Sequence, residues 1–403
     1  MKKFLYLIIP ILIGIFALIG INKYLDVQIN KMLSTKDLNS LRREYSCDIK
    51  DKGELVNNYL LSENEIMLLG SSELSLSVKK QHITSYFNEG LTRDKLFTVG
   101  RPYSQGLQQA LAIGSLNPNT IKDKKVVMLV SLQAFLSKGG MPKKAFQSRF
   151  SPSQFYAFLD NDKINNEEKI EMAKRVSRLL SGTRDFKEEK LYAKIYSTDN
   201  LKSKIEKVLF YPYFIFRKGE VKLKEKGEVY TYLKSLPEKQ DINNKEVRKI
   251  DWNKEDKIAI KDAKLRTNEN KYKIDNEYYE KILKDRLKKM KGAYKNVQLL
   301  NSKELDDYIQ FLDVSKSLGI KPLIIIMPNS DWYYNYTGLT KEKRDLFYDT
   351  IDKYAKEKGF EVVNLKNKEN TDYYLKDIMH LGTRGWVDIS EIIYNKYDEQ
   401  LAN

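Results

Sequence analysis

Cysteine and histidine are almost missing from this chain. Cys47 is the only cysteine, which excludes a disulfide within the chain. With His82 and His380 as the only histidines, a Cys/His zinc site lacks ligands, and neither a metal nor a cofactor is expected. Cys47 also stands too far from the N-terminal apolar run to be a lipid-modified lipoprotein cysteine. Proline and glycine are spread thinly, and no Pro/Gly/Ser-rich linker or internal repeat divides the chain. Acidic residues are outnumbered, 55 against 71 lysines and arginines, for a net charge of +16. Such a surface attracts polyanions, although mixed runs such as 218–226 (KGEVKLKEK) and 281–291 (KILKDRLKKMK) read equally well as solvated faces.

One long apolar run is present. Phe4 to Ile21 carries no charged side chain, and eighteen helical residues span about 27 Å, enough for a bilayer core. A cleaved signal peptide would have a shorter apolar region and an A-x-A-like site, whereas Leu18-Ile19-Gly20 is a poor one. Residues 1–26 are therefore read as an uncleaved anchor. Lys2 and Lys3 precede the run, so the positive-inside bias places the N-terminus in the cytoplasm and residues 27–403 outside. On that side the available polyanions are phospholipid headgroups and phosphate-containing wall polymers, not nucleic acid.

Beyond the anchor, apolar runs alternate with amphipathic ones. Strands are expected at Glu65–Gly70, Lys95–Gly100, Val126–Leu132, Pro322–Met327 and Phe360–Leu365, several apolar on both faces as in central parallel strands. Helices are expected at Gln105–Leu116, at Glu167–Leu180, and around Leu346, Phe347, Ile351 and Tyr354. A further helix opens on an Asn301/Glu304 capping box and ends at Gly319. This order gives an α/β fold with a parallel sheet and helices on both faces. From about 150 to 300 strand signals weaken, and a helical insertion is expected there; it includes the aromatic cluster Tyr211–Phe216.

Two short runs carry chemistry: Gly70-Ser71-Ser72-Glu73 after the first strand and Asp377-Ile378-Met379-His380 after the last. In a parallel sheet, strand-to-helix turns converge along the carboxyl edge, where ligands bind. A serine hydroxyl is a weak nucleophile until a base takes its proton; a histidine, ordinarily titrating near about 6.5, does so at neutral pH. An aspartate fixes the imidazole tautomer and stabilises the imidazolium. Each run alone has a plainer reading, Ser71-Ser72 as a helix N-cap and Asp377/His380 as a surface pair. His82 has no acidic neighbour in a comparable motif and is read as structural or exposed.

Gly-x-Ser after the first strand, Gly100 after the second and Asp-x-x-His near the C-terminus resemble the SGNH hydrolase blueprint. More closely, the chain resembles the DltD family, membrane-anchored proteins of Gram-positive teichoic acid D-alanylation. The resemblance runs through 70–74 (GSSEL), 100–109 (GRPYSQGLQQ), 145–150 (AFQSRF), 154–159 (QFYAFL), 333–338 (YYNYTG), 377–382 (DIMHLG) and 385–387 (GWV). It implies an SGNH-like three-layer sandwich in which Ser72 is the nucleophile and Asp377 and His380 complete the triad. Gly100 and Gln133 would serve the oxyanion hole, and Tyr333 and Tyr336 would line a substrate groove, although packing is the plainer role for those aromatics. The chain departs from the family at 131–135 (SLQAF, usually Ser-Pro-Gln-Trp-Phe) and at 328–332 (PNSDW).

The function so implied is transfer of D-alanyl groups onto lipoteichoic acid. A membrane-bound O-acyltransferase would pass them outward from a D-alanyl carrier protein. Two alternatives remain at this level: a membrane-anchored esterase or thioesterase, and a non-catalytic scaffold binding a carrier protein or anionic polymer.

Overall fold

The computed structural model describes residues 2–75, 78–240 and 250–397; the side chains of residues 1–8 and 11, and with them the orientation expected from Lys2 and Lys3, lie outside the description. Helix α1 (Lys2–Thr35) runs past the apolar stretch without a break. Among the described residues its Leu12–Thr35 portion is the one helix long and apolar enough to cross a membrane. The reason it continues is written in its second half: Leu25, Ile29, Met32 and Leu33 recur at helical spacing and are buried.

Strands β1 (Ile66–Leu69), β2 (Leu96–Val99), β3 (Val126–Val130), β4 (Leu323–Ile326) and β5 (Val362–Asn364) follow. They form one sheet in the order β2-β1-β3-β4-β5, every pair parallel. All five expected strands are present, each trimmed by a residue or two at its ends. Helices α2 (Ile83–Asn88) and α3 (Gly106–Gly114) flank β2, and the insertion between β3 and β4 is built of helices joined by turns, with no strand among its described residues. It includes α4 (Pro152–Asp160), α5 (Asn166–Leu179), α6 (Lys187–Tyr196), α7 (Leu201–Leu209), α8 (Tyr211–Ser235), α9 (Trp252–Thr267) and α10 (Lys303–Ser317). Helices α11 (Lys341–Glu357) and α12 (Thr383–Tyr397) bracket β5.

Side chains alternate across the sheet and split the core in two. Met67, Leu69, Met128, Val130, Ile324 and Ile326 pack with α3, α10 and α11 on one face. Ile66, Leu68, Val127, Leu129, Leu323 and Ile325 pack with α2 and α12 on the other. Three layers result, as expected. Because both faces are covered, the central strands are apolar at every position, which is why they read as continuous runs.

One expected cap is corrected. Ser302, not Asn301, caps α10, its Oγ accepting the Glu304 N–H at 3.2 Å. Glu304 does not reach back to the cap; its Oε1 accepts the Gly106 N–H at the start of α3 at 2.7 Å.

Candidate active site

The turn after β1 brings Ser72 to the carboxyl edge of the sheet. Ser72–Leu74 form a 3-10 turn, and Ser71 donates its N–H to the Glu73 carboxylate at 2.7 Å. Gly100, at the matching end of β2, lies directly behind this turn. Its φ of +147° and the 2.1 Å that would separate an added Cβ from the Gly70 carbonyl oxygen leave no room for a side chain. The close approach of the two turns therefore depends on glycine at this position.

After β5 the chain crosses the same edge in a narrow loop. Lys376 N–H donates to the His380 carbonyl at 2.9 Å and Gly382 N–H to Tyr374 at 2.7 Å, so the loop doubles back between them. Inside it, Asp377 is buried, and its Oδ1 accepts the N–H groups of Met379 at 2.9 Å and His380 at 2.8 Å. Its Oδ2 lies 2.8 Å from His380 Nδ1, and His380 Nε2 lies 2.9 Å from Ser72 Oγ. Burial opposes the Asp377 charge, but the His380 hydrogen bond and charge and the two backbone N–H groups outweigh it and hold its carboxyl below the usual range. Asp377 is thus an ionised group that fixes the ring through Nδ1, leaving Nε2 to face the serine.

Ser72 and His380 face a cavity of about 460 Å³, whose wall also includes Ser71, Tyr103, Met128, Gln133 and Tyr308, while Asp377 lies buried behind the imidazole. The other expected site residues sit differently. Gly100 donates its N–H to Asp51 Oδ1 at 2.8 Å, away from the cavity, and Arg101 Nε binds the other oxygen of that carboxylate at 3.0 Å. Gln133 does line the cavity, but its amide nitrogen donates to Asn329 Oδ1 and to the Tyr334 hydroxyl, each at 2.8 Å. Asn329 in turn donates to Tyr348 at 2.6 Å, and Tyr348 to Glu369 at 2.8 Å. Gln133 is therefore one end of an internal network. Tyr333 is buried against Trp332 and Tyr334, and Tyr336 is half-buried; neither reaches the cavity.

Several cavity groups escaped the sequence reading. Glu73 is buried beside Ser72, and burial raises its pKa against the pull of the Ser71 N–H and its own. Gln105, Gln109 and Glu304 also line the cavity. Glu73 carried a local signal as an acid next to the serine in the Gly-x-Ser run, and Gln105 and Gln109 lie in the 100–109 run without a role assigned to them. Glu304 lies 232 residues downstream, and no spacing links it to Ser72.

With the geometry in place, comparison with known proteins decides the lineage. A family profile described as DltD protein matches residues 42–398. The chain belongs to the DltD family. Protein DltD of Bacillus subtilis (strain 168) is 30% identical over 346 residues, covering 85% of each chain. Protein DltD of Lacticaseibacillus rhamnosus is 25% identical over 85% of this chain and 79% of its own, and that of Staphylococcus aureus 24% over 85% and 83%. DltD membership carries a role in teichoic acid D-alanylation.

Proposed function

We propose that this DltD-family protein is an acyltransferase that passes D-alanyl groups onto lipoteichoic acid through Ser72. The observation that supports this most is the unbroken relay from Asp377 through His380 to Ser72, with hydrogen bonds of 2.8 and 2.9 Å. His380 Nε2 takes the proton as Ser72 Oγ attacks the carbonyl carbon of a D-alanyl ester or thioester. The tetrahedral oxyanion is met by backbone N–H, foremost that of Ser72, which opens a 3-10 turn and has no intrahelical acceptor. Collapse expels the alcohol or thiol, which leaves with the proton from His380, and Ser72 retains the D-alanyl ester. A hydroxyl of the polymer, deprotonated by the same imidazole, then attacks that ester and frees Ser72.

The same reading places α1 across the membrane, the N-terminus in the cytoplasm and the catalytic domain outside. A membrane-bound O-acyltransferase would deliver the acyl group, and the net charge of +16 suits a polyphosphate acceptor. The triad would equally run an esterase, the difference being whether water reaches the acyl-serine. The test is ester-linked D-alanine on cells carrying Ser72→Ala or His380→Ala with the protein still folded and anchored. Loss in both is expected; normal content in both overturns the proposal. Mass spectrometry of the Ser72 peptide, with a D-alanyl adduct expected, separates transfer from scaffolding.

A further inference from the structure

The wall of the catalytic cavity carries three acceptor atoms with no donor. Glu304 Oε2, Gln105 Oε1 and Gln109 Oε1 are all buried and unpartnered, and all three residues line the cavity that holds Ser72. Glu304 is 2% exposed and Gln109 5%. Buried acceptors without donors are costly and uncommon in folded proteins. The local charge is also unbalanced. Arg175 binds Asp307 from Nε at 2.9 Å and from Nη2 at 2.8 Å, so a single guanidinium serves two buried carboxylates. Burial and then the Asp307 charge raise the Glu304 pKa well above the usual carboxylate range, against the Gly106 N–H and Arg175.

We propose that Glu304, Gln105 and Gln109 form a subsite for a primary ammonium group, that of an α-aminoacyl substrate. An ammonium brings three donors and no acceptor, which matches three unpartnered acceptors, one of them the Glu304 carboxylate oxygen. A phosphate or carboxylate ligand would meet the like charge of the Glu304 carboxylate there. The inference rests on the D-alanyl reading of the site and adds how an aminoacyl group is told from a plain acyl group: the analogue without the amine leaves the buried acceptors unpaired.

The test uses the full chain in detergent with Ser72→Ala, so that nothing turns over. Binding of D-alaninamide is compared with that of propionamide, the same amide with hydrogen in place of the amine. D-alaninamide is expected to bind about 10- to 100-fold more tightly, the range of a hydrogen bond to a charged group. Glu304→Gln, which keeps an acceptor for Gly106, should abolish the difference, and Gln109→Met should reduce it. Equal binding of the two ligands, or an unchanged difference in Glu304→Gln, overturns the subsite. If discrimination fails while Ser72→Ala cells lose D-alanine, the subsite alone is wrong. If discrimination holds while those cells keep D-alanine, the transferase reading is wrong.

A different observation carries a second inference. Helix α7 and the start of α8 expose Leu201, Ile205, Val208, Leu209, Ile215 and Phe216, each between 44% and 76%. Lys202, Lys204 and Lys207 share α7. Helix α8 runs beside α1 in the same direction. Lys226 Nζ reaches Asn22 at 2.7 Å and Asp26 at 2.6 Å, and farther along both chains Lys36 pairs with Glu238 at 2.6 Å. From Lys226 back to Tyr211, α8 rises about 22 Å on the side where α1 enters its apolar stretch. We infer that this helix pair lies in the outer leaflet beside α1, apolar face in the acyl chains and lysines toward anionic headgroups.

Fluorophores on Val208→Cys and Phe216→Cys, in a Cys47→Ser background, test it in vesicles of phosphatidylglycerol and phosphatidylcholine. Nitroxide-labelled acyl chains should quench both, and a Phe16→Cys reference, but not Lys353→Cys. Quenching at 16 without quenching at 208 and 216 overturns the placement of α7 and α8 and leaves α1 as a span; absence at all three overturns the anchor as well. Shielding of 208 and 216 that grows with protein-to-lipid ratio and is insensitive to the nitroxides identifies a second copy as the occupant, which also overturns it.

Discussion

His380 and His82, the two histidines of the chain, occupy opposite kinds of surroundings. His380 stands in a loop at the sheet edge, its Nδ1 held by Asp377 and its Nε2 facing Ser72 and a cavity. His82 is fully buried at the start of α2, where its Nδ1 accepts the Thr84 N–H at 3.3 Å and its ring packs on Trp386 with centroids 4.4 Å apart. Burial first, partly offset by the Leu74 backbone and assisted by the Arg43 charge, pushes its pKa down to about 3. His82 is therefore neutral at any physiological pH. What separates the two is an adjacent carboxylate and access to a cavity; residue type alone does not make a base.

The largest effects should fall on the His380 side. Ser72→Ala or His380→Ala should lower D-alanyl transfer by about 10⁵- to 10⁶-fold while the melting temperature stays put, since members of a triad act as a unit. Asp377→Asn should cost about 10⁴-fold, because an amide no longer selects the required tautomer or stabilises the imidazolium. Turnover of a D-alanyl thioester checks all three. A variant that loses activity only in proportion to folded protein would erase the distinction between the two histidines.

The sheet and the meeting of Ser72, His380 and Asp377 were legible because each has a local signature: five apolar runs, a Gly-x-Ser and an Asp-x-x-His. Their partners were not. Gly100 matches its motif, yet its N–H is taken by Asp51, 49 positions earlier, and the Gln133 amide is taken by Asn329 and Tyr334, about two hundred positions later. Hydrogen bonds across such separations are decided by packing, which leaves no periodicity to read. The aromatic run at Tyr333 followed the general tendency of aromatics to bury. The extent of α1 was half-visible. Leu25, Ile29, Met32 and Leu33 keep helical spacing beyond the apolar run, but only their burial shows that the helix joins the hydrophobic core. In the insertion, helicity was evident while the exposed apolar face of α7 was not, because the same pattern serves a buried helix.

His82 offers a sharper version of the comparison. His82→Gln should leave D-alanyl transfer unchanged per folded molecule and destabilise the protein by about 1–3 kcal/mol, the range for disturbing a buried polar contact. Denaturant titration measures it, and a loss of transfer at constant folded fraction would join His82 to the site after all.

The smallest effect concerns acid. A buried ring with a folded pKa of about 3, against an ordinary value near 6.5, binds its proton far more readily in the unfolded chain. The stability that neutral His82 contributes is complete above about pH 6.5 and is lost as pH falls toward 3. Across that window the unfolded state gains one proton, so the contribution falls steadily with pH. Asp377, with its carboxyl held below the usual range, contributes stability that is lost only at lower pH, as the solution falls through the carboxylate range. The two titrations therefore separate on the pH axis. His82→Gln should flatten the stability profile between about pH 6 and 4 and leave the steeper acid loss in place, whereas Asp377→Asn should spare the upper window. If His82→Gln leaves the upper slope intact, then another buried group governs it, and the contrast between the two histidines concerns reactivity alone.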